Sequence, residues 1–195
     1  DALSTWFEAR ACKNSGARTM ARGNVSNTGL MMARLCYDLL MEKGRDALDA
    51  VDRHQVTPEL EDVVEASIYL SGLGFENGGL AAAHAINDGF AQEPQAHGMY
   101  HGEKVAFGTL TQLVLEKAPQ EELEQVLSFL KDTGLPMTLA QLGVAEVVPE
   151  TLHKVAEAAC VPTQSTKNLR ADITAQEVYD AILEADRLGR EWLAR

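Results

Sequence analysis

Two of the five histidines stand in places where an imidazole could do chemistry. His84 lies inside Leu-Ala-Ala-Ala-His-Ala-Ile (80–86), a run that is apolar on every side of a helix and therefore reads as buried all round. His101 follows Tyr100 at the head of a second helical pattern, Tyr-His-Gly-Glu-Lys-Val-Ala-Phe-Gly (100–108). A neutral imidazole is a good ligand for zinc or iron. Burial and the positive end of a helix dipole both disfavour the protonated ring, so each residue is biased toward the form that binds a metal. Two imidazoles alone make a poor centre, because a catalytic site ordinarily has three protein ligands and an open position. A carboxylate is the expected third ligand. Asp88, Glu103 and Asp1 are the candidates, and spacing does not choose among them. The simpler role for a histidine in an apolar helix is a core residue donating to a backbone carbonyl. His97 and His101, four apart across a loop, equally fit surface positions, while His54 and His153 sit on charged faces and read as solvated.

The elements that must position these residues are helical. Asp1 is a good cap for a helix from Ala2 to Lys13, with Gly16 as its stop. Asn24 or Ser26 caps a second helix, expected to end at Gly44. Pro58 suits a first helical turn, and Leu60, Val63, Val64, Ser67 and Ile68 share one face behind it. The glycine-rich stretch at 72–79 reads as irregular, and 87–99, with Pro94 and Gly98, reads as a loop. Leu123, Val126, Leu127 and Leu130 mark another helix before Gly134 and Pro136. Further helices start near Pro149 and at Thr174, the last placing Val178, Ile182, Ala185 and Trp192 inward. No run alternates in the manner of a strand. The expectation is an all-α chain of about nine helices forming one domain over 1–195.

Bulk properties narrow the partners. The chain has 195 residues, 46% of them hydrophobic and 24% charged, which is ordinary for a globular protein. Its formal net charge of −12 opposes binding to phosphate backbones, so no nucleic-acid partner is expected. No stretch approaches the roughly 18 apolar residues of a membrane span. The three cysteines, Cys12, Cys36 and Cys160, are odd in number and widely spaced, which suits a reducing cytoplasm. The chain opens at Asp1 without a methionine, and a truncated or cleaved polypeptide is the expectation.

Longer motifs carry a resemblance. Gly72-Leu-Gly-Phe-Glu-Asn-Gly-Gly-Leu-Ala-Ala-Ala-His84, followed by Tyr100-His101-Gly-Glu-Lys-Val-Ala-Phe-Gly-Thr, resembles the metal-binding region of glycerol dehydrogenases, in the iron-containing alcohol dehydrogenase superfamily. The opening Asp1-Ala-Leu-Ser-Thr-Trp-Phe-Glu-Ala-Arg resembles the stretch of those enzymes that supplies the carboxylate ligand. The resemblance continues through Gly134-Leu-Pro to the last helix. It implies the C-terminal helical domain of a dehydroquinate synthase-like architecture, whose N-terminal dinucleotide-binding domain this chain lacks.

The resemblance also implies a ligand set of Asp1, His84 and His101, a divalent metal such as Zn2+ or Fe2+, NAD in the full-length enzyme, and a homo-oligomer. Phe75 resembles a residue that packs against the polyol, beside His84 and His101. Thr5 stands where many iron-dependent relatives have a second histidine, which favours zinc. Position 88, histidine in several relatives, is Asp here and implies a cleft-lining role. The implied reaction is oxidation of glycerol to dihydroxyacetone. A catalytically inactive metal-binding fragment with a folding or assembly role is the alternative. A relative acting on a phosphorylated polyol would need a basic pocket, and this region offers Lys104 alone.

Overall fold

The computed structural model describes all 195 residues. It is helical throughout, and one isolated bridge between Arg18 and Asn24 stands in place of any sheet. The expected all-α class and helix number both hold, because the third and fourth α segments join through a π turn into one rod. The chain forms two compact units, Asp1–Leu80 and Ala81–Arg195.

The first unit contains α1 (Ala2–Ser15), α2 (Asn27–Asp52), α3 (Pro58–Glu65), the π turn (Ala66–Leu70) and α4 (Ser71–Gly78). Asp1 does occupy the cap position of α1, yet its side chain makes no cap hydrogen bond. Its carbonyl instead accepts from Ser4 N at 3.0 Å and Ser4 Oγ at 2.8 Å. Gly16 closes the helix at φ 74°, in the left-handed region that a Cβ disfavours. Ser26, not Asn24, caps α2 by accepting from Gly29 N at 2.9 Å. The helix does not stop at Gly44 but runs on to Asp52, with Gly44 buried in its interior.

Two sequence expectations fail in this unit. Residues 72–79 are not irregular, since 71–78 form α4. Its glycines serve close packing rather than turns: a Cβ on Gly74 would lie 2.6 Å from Thr5 Cγ2, and one on Gly78 would lie 2.5 Å from Ala9 Cβ. Thr5 and Ala9 are one helical turn apart on α1, as Gly74 and Gly78 are on α4, so the two helices meet along a seam with no side chains on one side. The apolar face expected behind Pro58 also breaks. Val64 and Ile68 are exposed, Ile68 at 73%, while Ala66 and Leu70 are buried. The buried face runs instead through Ala66 and Leu70, the two ends of the π turn.

The second unit contains α5 (Ala82–Gly89), α6 (His101–Glu116), α7 (Gln120–Thr133), α8 (Pro149–Ala159), α9 (Thr166–Leu169) and α10 (Ala175–Leu193). The expected loop at 87–99 holds the end of α5 and two short 3-10 turns, Phe90–Gln92 and Pro94–Ala96. Phe90 and Phe107 meet edge to face at 6.0 Å in a core that also buries Ile86, Leu110, Leu113, Val155 and Ile182. Thr174 and Glu177 form a capping box at the head of α10. The buried Asp186 carboxylate accepts from Leu139 N at 2.8 Å, tying the 137–142 segment to that helix.

All three cysteines are free. Burial pushes the Cys12 and Cys36 thiols up to about 12, so neither offers a thiolate at neutral pH. No helix is long and apolar enough to cross a membrane.

The glycine seam gives a prediction of sign. In a helix interior, Gly→Ala ordinarily stabilises by about 0.5–1 kcal/mol. Gly72, with nothing within 4 Å of its would-be Cβ, should follow that rule. Gly78→Ala should instead destabilise by about 1–3 kcal/mol through overpacking. Urea unfolding of both variants checks this, and a Gly78→Ala protein more stable than wild type would contradict the seam.

Candidate metal centre

Helix α5 is short and almost wholly enclosed: Ala82, Ala83, Ala85 and Ile86 are each 0% exposed. Two glycines make that enclosure possible. A Cβ on Gly108 of α6 would lie 2.4 Å from the Ala83 carbonyl oxygen, and a Cβ on Gly89 would lie 2.4 Å from the Val155 carbonyl oxygen of α8. Both contacts are backbone to backbone, so no side-chain rearrangement could relieve a larger residue.

This crossing brings the two predicted histidines together. His84 is half-buried on α5 and His101 is exposed in the first turn of α6. Their ring centroids lie 5.4 Å apart with planes at 49°. Rings so spaced and tilted neither stack nor pack edge to face, and one nitrogen of each can reach a common point.

Partial burial, and then the neighbouring His84, hold the His101 pKa below its ordinary value of 6.5; Asp88 opposes the shift and Lys104 adds to it. The neutral, metal-binding form is therefore favoured.

The other sequence candidates are used elsewhere in this unit. Glu103 Oε2 accepts from Tyr100 N at 2.7 Å, so this carboxylate caps the helix that His101 begins. Asp88 is exposed, and its two oxygens accept from Asn87 Nδ2 at 3.1 Å and Gln164 Nε2 at 3.2 Å. His97 turns back on its own loop, with Nε2 3.0 Å from the Ala91 carbonyl. His153, expected to be solvated, lies flat on Tyr179 with centroids 3.8 Å apart. In the first unit, Asp1 is exposed at the head of α1, Phe75 is half-buried on α4, and His54 is exposed after α2.

Sequence reading passed over Gly108 and Gln112. Both share a face of α6 with His101 at a period of about 3.6 residues. The signal was a glutamine in the middle of the apolar stretch 105–115.

The His101 shift is measurable in metal-free protein. A folded midpoint below 6.5 costs nothing above that pH, and destabilises the fold progressively as pH falls from 6.5 through the folded midpoint. An NMR titration of the His101 ring should give a midpoint below 6.5, moving up when His84 is replaced by glutamine. A midpoint at or above the ordinary value contradicts the geometry.

No protein-family model matches the chain. Glycerol dehydrogenase of Escherichia coli O6:H1 is 55% identical over 193 residues, covering 99% of this chain and 53% of the relative. The crystal structure of glycerol dehydrogenase from Schizosaccharomyces pombe matches at 40% identity with a TM-score of 0.96, covering 100% of this chain and 50% of that one. A 1,3-propanediol oxidoreductase structure, at 20% identity and a TM-score of 0.68, covers 95% of this chain and 50% of that one and shares the fold. The chain thus spans about half the length of the curated relatives it matches. In sequence and in fold it is a homologue of the C-terminal half of glycerol dehydrogenases.

Proposed function

We propose that this chain is the metal-carrying helical part of an NAD-dependent glycerol dehydrogenase, in which His84, His101 and Asp1 hold one divalent cation. The observation that carries the reading is the His84–His101 pair, two imidazoles 5.4 Å apart on helices in backbone contact. The donor set suits zinc: two imidazoles and one carboxylate, each offering one ligand atom, leave a position for a substrate oxygen. Ferrous iron accepts the same donors. Asp1 is preferred to Glu103 and Asp88 because those carboxylates already serve a helix cap and a loop contact.

A cation held there supplies Lewis acidity, lowering the pKa of the hydroxyl on the carbon to be oxidised. The chain's own part is to orient both imidazoles and to keep His101 neutral. Partial burial, and then the neighbouring His84, disfavour the protonated His101 ring. Phe75 supplies an apolar wall for the polyol carbons. The overall reaction is glycerol and NAD+ to dihydroxyacetone, NADH and a proton, with the cofactor as hydride acceptor. The 195 residues contain no βαβ unit, so the nicotinamide must be presented by a separate domain. A homo-oligomer in the cytoplasm completes the reading. Exposed Met31, Ile68 and Tyr69 provide apolar surface that subunit contacts would cover.

Zinc titration tests the centre directly. Wild type should bind about one equivalent, and His84→Ala and His101→Ala should each lose tight binding. Unchanged stoichiometry in both variants sinks the assignment. In an enzyme joining this chain to a dinucleotide-binding domain, glycerol should drive NADH formation, and Asp1→Asn should lower kcat/KM by about tenfold or more. The isolated chain should show little or no turnover.

A further inference from the structure

Helix α5 has no cap of its own. It starts after Ala81, whose side chain holds no acceptor, and the first N–H groups of any helix lack partners within it. The missing acceptor comes from α6. Gln112, 0% exposed, accepts from Ala83 N at 3.0 Å through Oε1 and donates through Nε2 to Glu116 Oε1 at 2.7 Å. The partners fix the amide's orientation, because an N–H can only donate and a carboxylate can only accept. Ala83 immediately precedes His84 in the chain, and Gln112 shares a helix with His101. A single side chain thus ties the first turn of one histidine-bearing helix to the body of the other. Gly108, one turn before Gln112, lets the backbones approach closely enough for the amide to reach.

We propose that Gln112, oriented by Glu116, is a positioning residue of the metal centre, setting the height and rotation of His84 relative to His101. The proposal rests on the metal reading above. Neither Gln112 nor Glu116 is a ligand in that reading, and both act on the centre through the α5 backbone. Partners of this kind, one bond removed from a ligand, typically alter metal affinity by about 10–100-fold.

The test compares zinc affinity, by competition with a chromophoric chelator, and the visible spectrum of the Co2+-loaded protein. Gln112→Leu keeps the volume but removes the acceptor; Gln112→Glu keeps the acceptor but faces the Glu116 carboxylate. The double variant Gln112→Glu/Glu116→Gln keeps the acceptor for Ala83 N and restores the 112–116 hydrogen bond with donor and acceptor exchanged. Gln112→Leu should fold, weaken zinc by about tenfold or more and shift the cobalt bands. Gln112→Glu should also weaken zinc, and the double variant should return toward wild type in both readouts.

Wild-type affinity and an unchanged cobalt spectrum in folded Gln112→Leu overturn the proposal. Should that variant fail to fold, equal affinities in Gln112→Glu and the double variant overturn it instead. Zinc binding that is the same in wild type and His84→Ala refutes the metal reading itself. The proposal is then decided by the His84 ring shifts in NMR, which must move in Gln112→Leu or Gln112→Glu and return in the double variant.

Discussion

The α5–α6 crossing is held at backbone contact distance because Gly108 carries no side chain, and the geometry of both imidazoles depends on that crossing. A helix packed through ordinary side chains lies about 8–10 Å from its neighbour, axis to axis. At that spacing a half-buried histidine on one helix and a first-turn histidine on the other would have to reach outward to meet. Here Ala83 lies against Gly108, so the rings converge from close range. The apolar character of 80–86 follows from the same fact. A helix enclosed by α6 on one side and α8 on another has no face left for polar residues, save the one that carries His84.

Close packing of this kind leaves polar atoms buried, and the chain resolves each of them. No buried side-chain nitrogen or oxygen lacks a hydrogen-bond partner. Thr109 and Thr111 donate to carbonyls one turn back, at 2.9 and 3.0 Å, and Gln112 spans from α6 to α5. The first unit uses glycine in the same way, with Gly74 and Gly78 of α4 receiving Thr5 and Ala9 of α1. Thr5 is further fixed by a 3.0 Å hydrogen bond to Ser71. In both units the residues that look dispensable, small and featureless, set the distances at which larger groups operate.

How much of this was legible in the sequence varies with the range of the interaction. Helix type and most helix starts were readable, because the caps Ser26 and Thr174 and a first-turn proline such as Pro58 act within one turn. His84 and His101 were readable as candidates for the same local reasons, burial pattern and first-turn position. The 72–79 segment was misread because glycine is a poor helix former in isolation, and only its contact with α1 explains why it is helical. The π turn was not readable at all, since one extra residue per ring leaves no mark in composition. Glu103 and Asp88 stayed open as ligands until their partners, Tyr100 N and Gln164, were seen. Gln112 showed only as a polar residue in an apolar stretch, because its target on α5 lies 29 residues away. Asp1 as a ligand comes from resemblance and donor chemistry rather than from any local signal.

The central claim is that His84 and His101 share one metal ion. X-ray absorption at the zinc edge of the loaded protein tests it most directly, because bound imidazoles give a multiple-scattering signature distinct from that of carboxylate or water. The account predicts two imidazoles with the remaining ligands oxygen, all near ~2.0–2.2 Å, and loss of one imidazole in either histidine variant. Sulfur scatterers near ~2.3 Å, or a spectrum without imidazole, would contradict it.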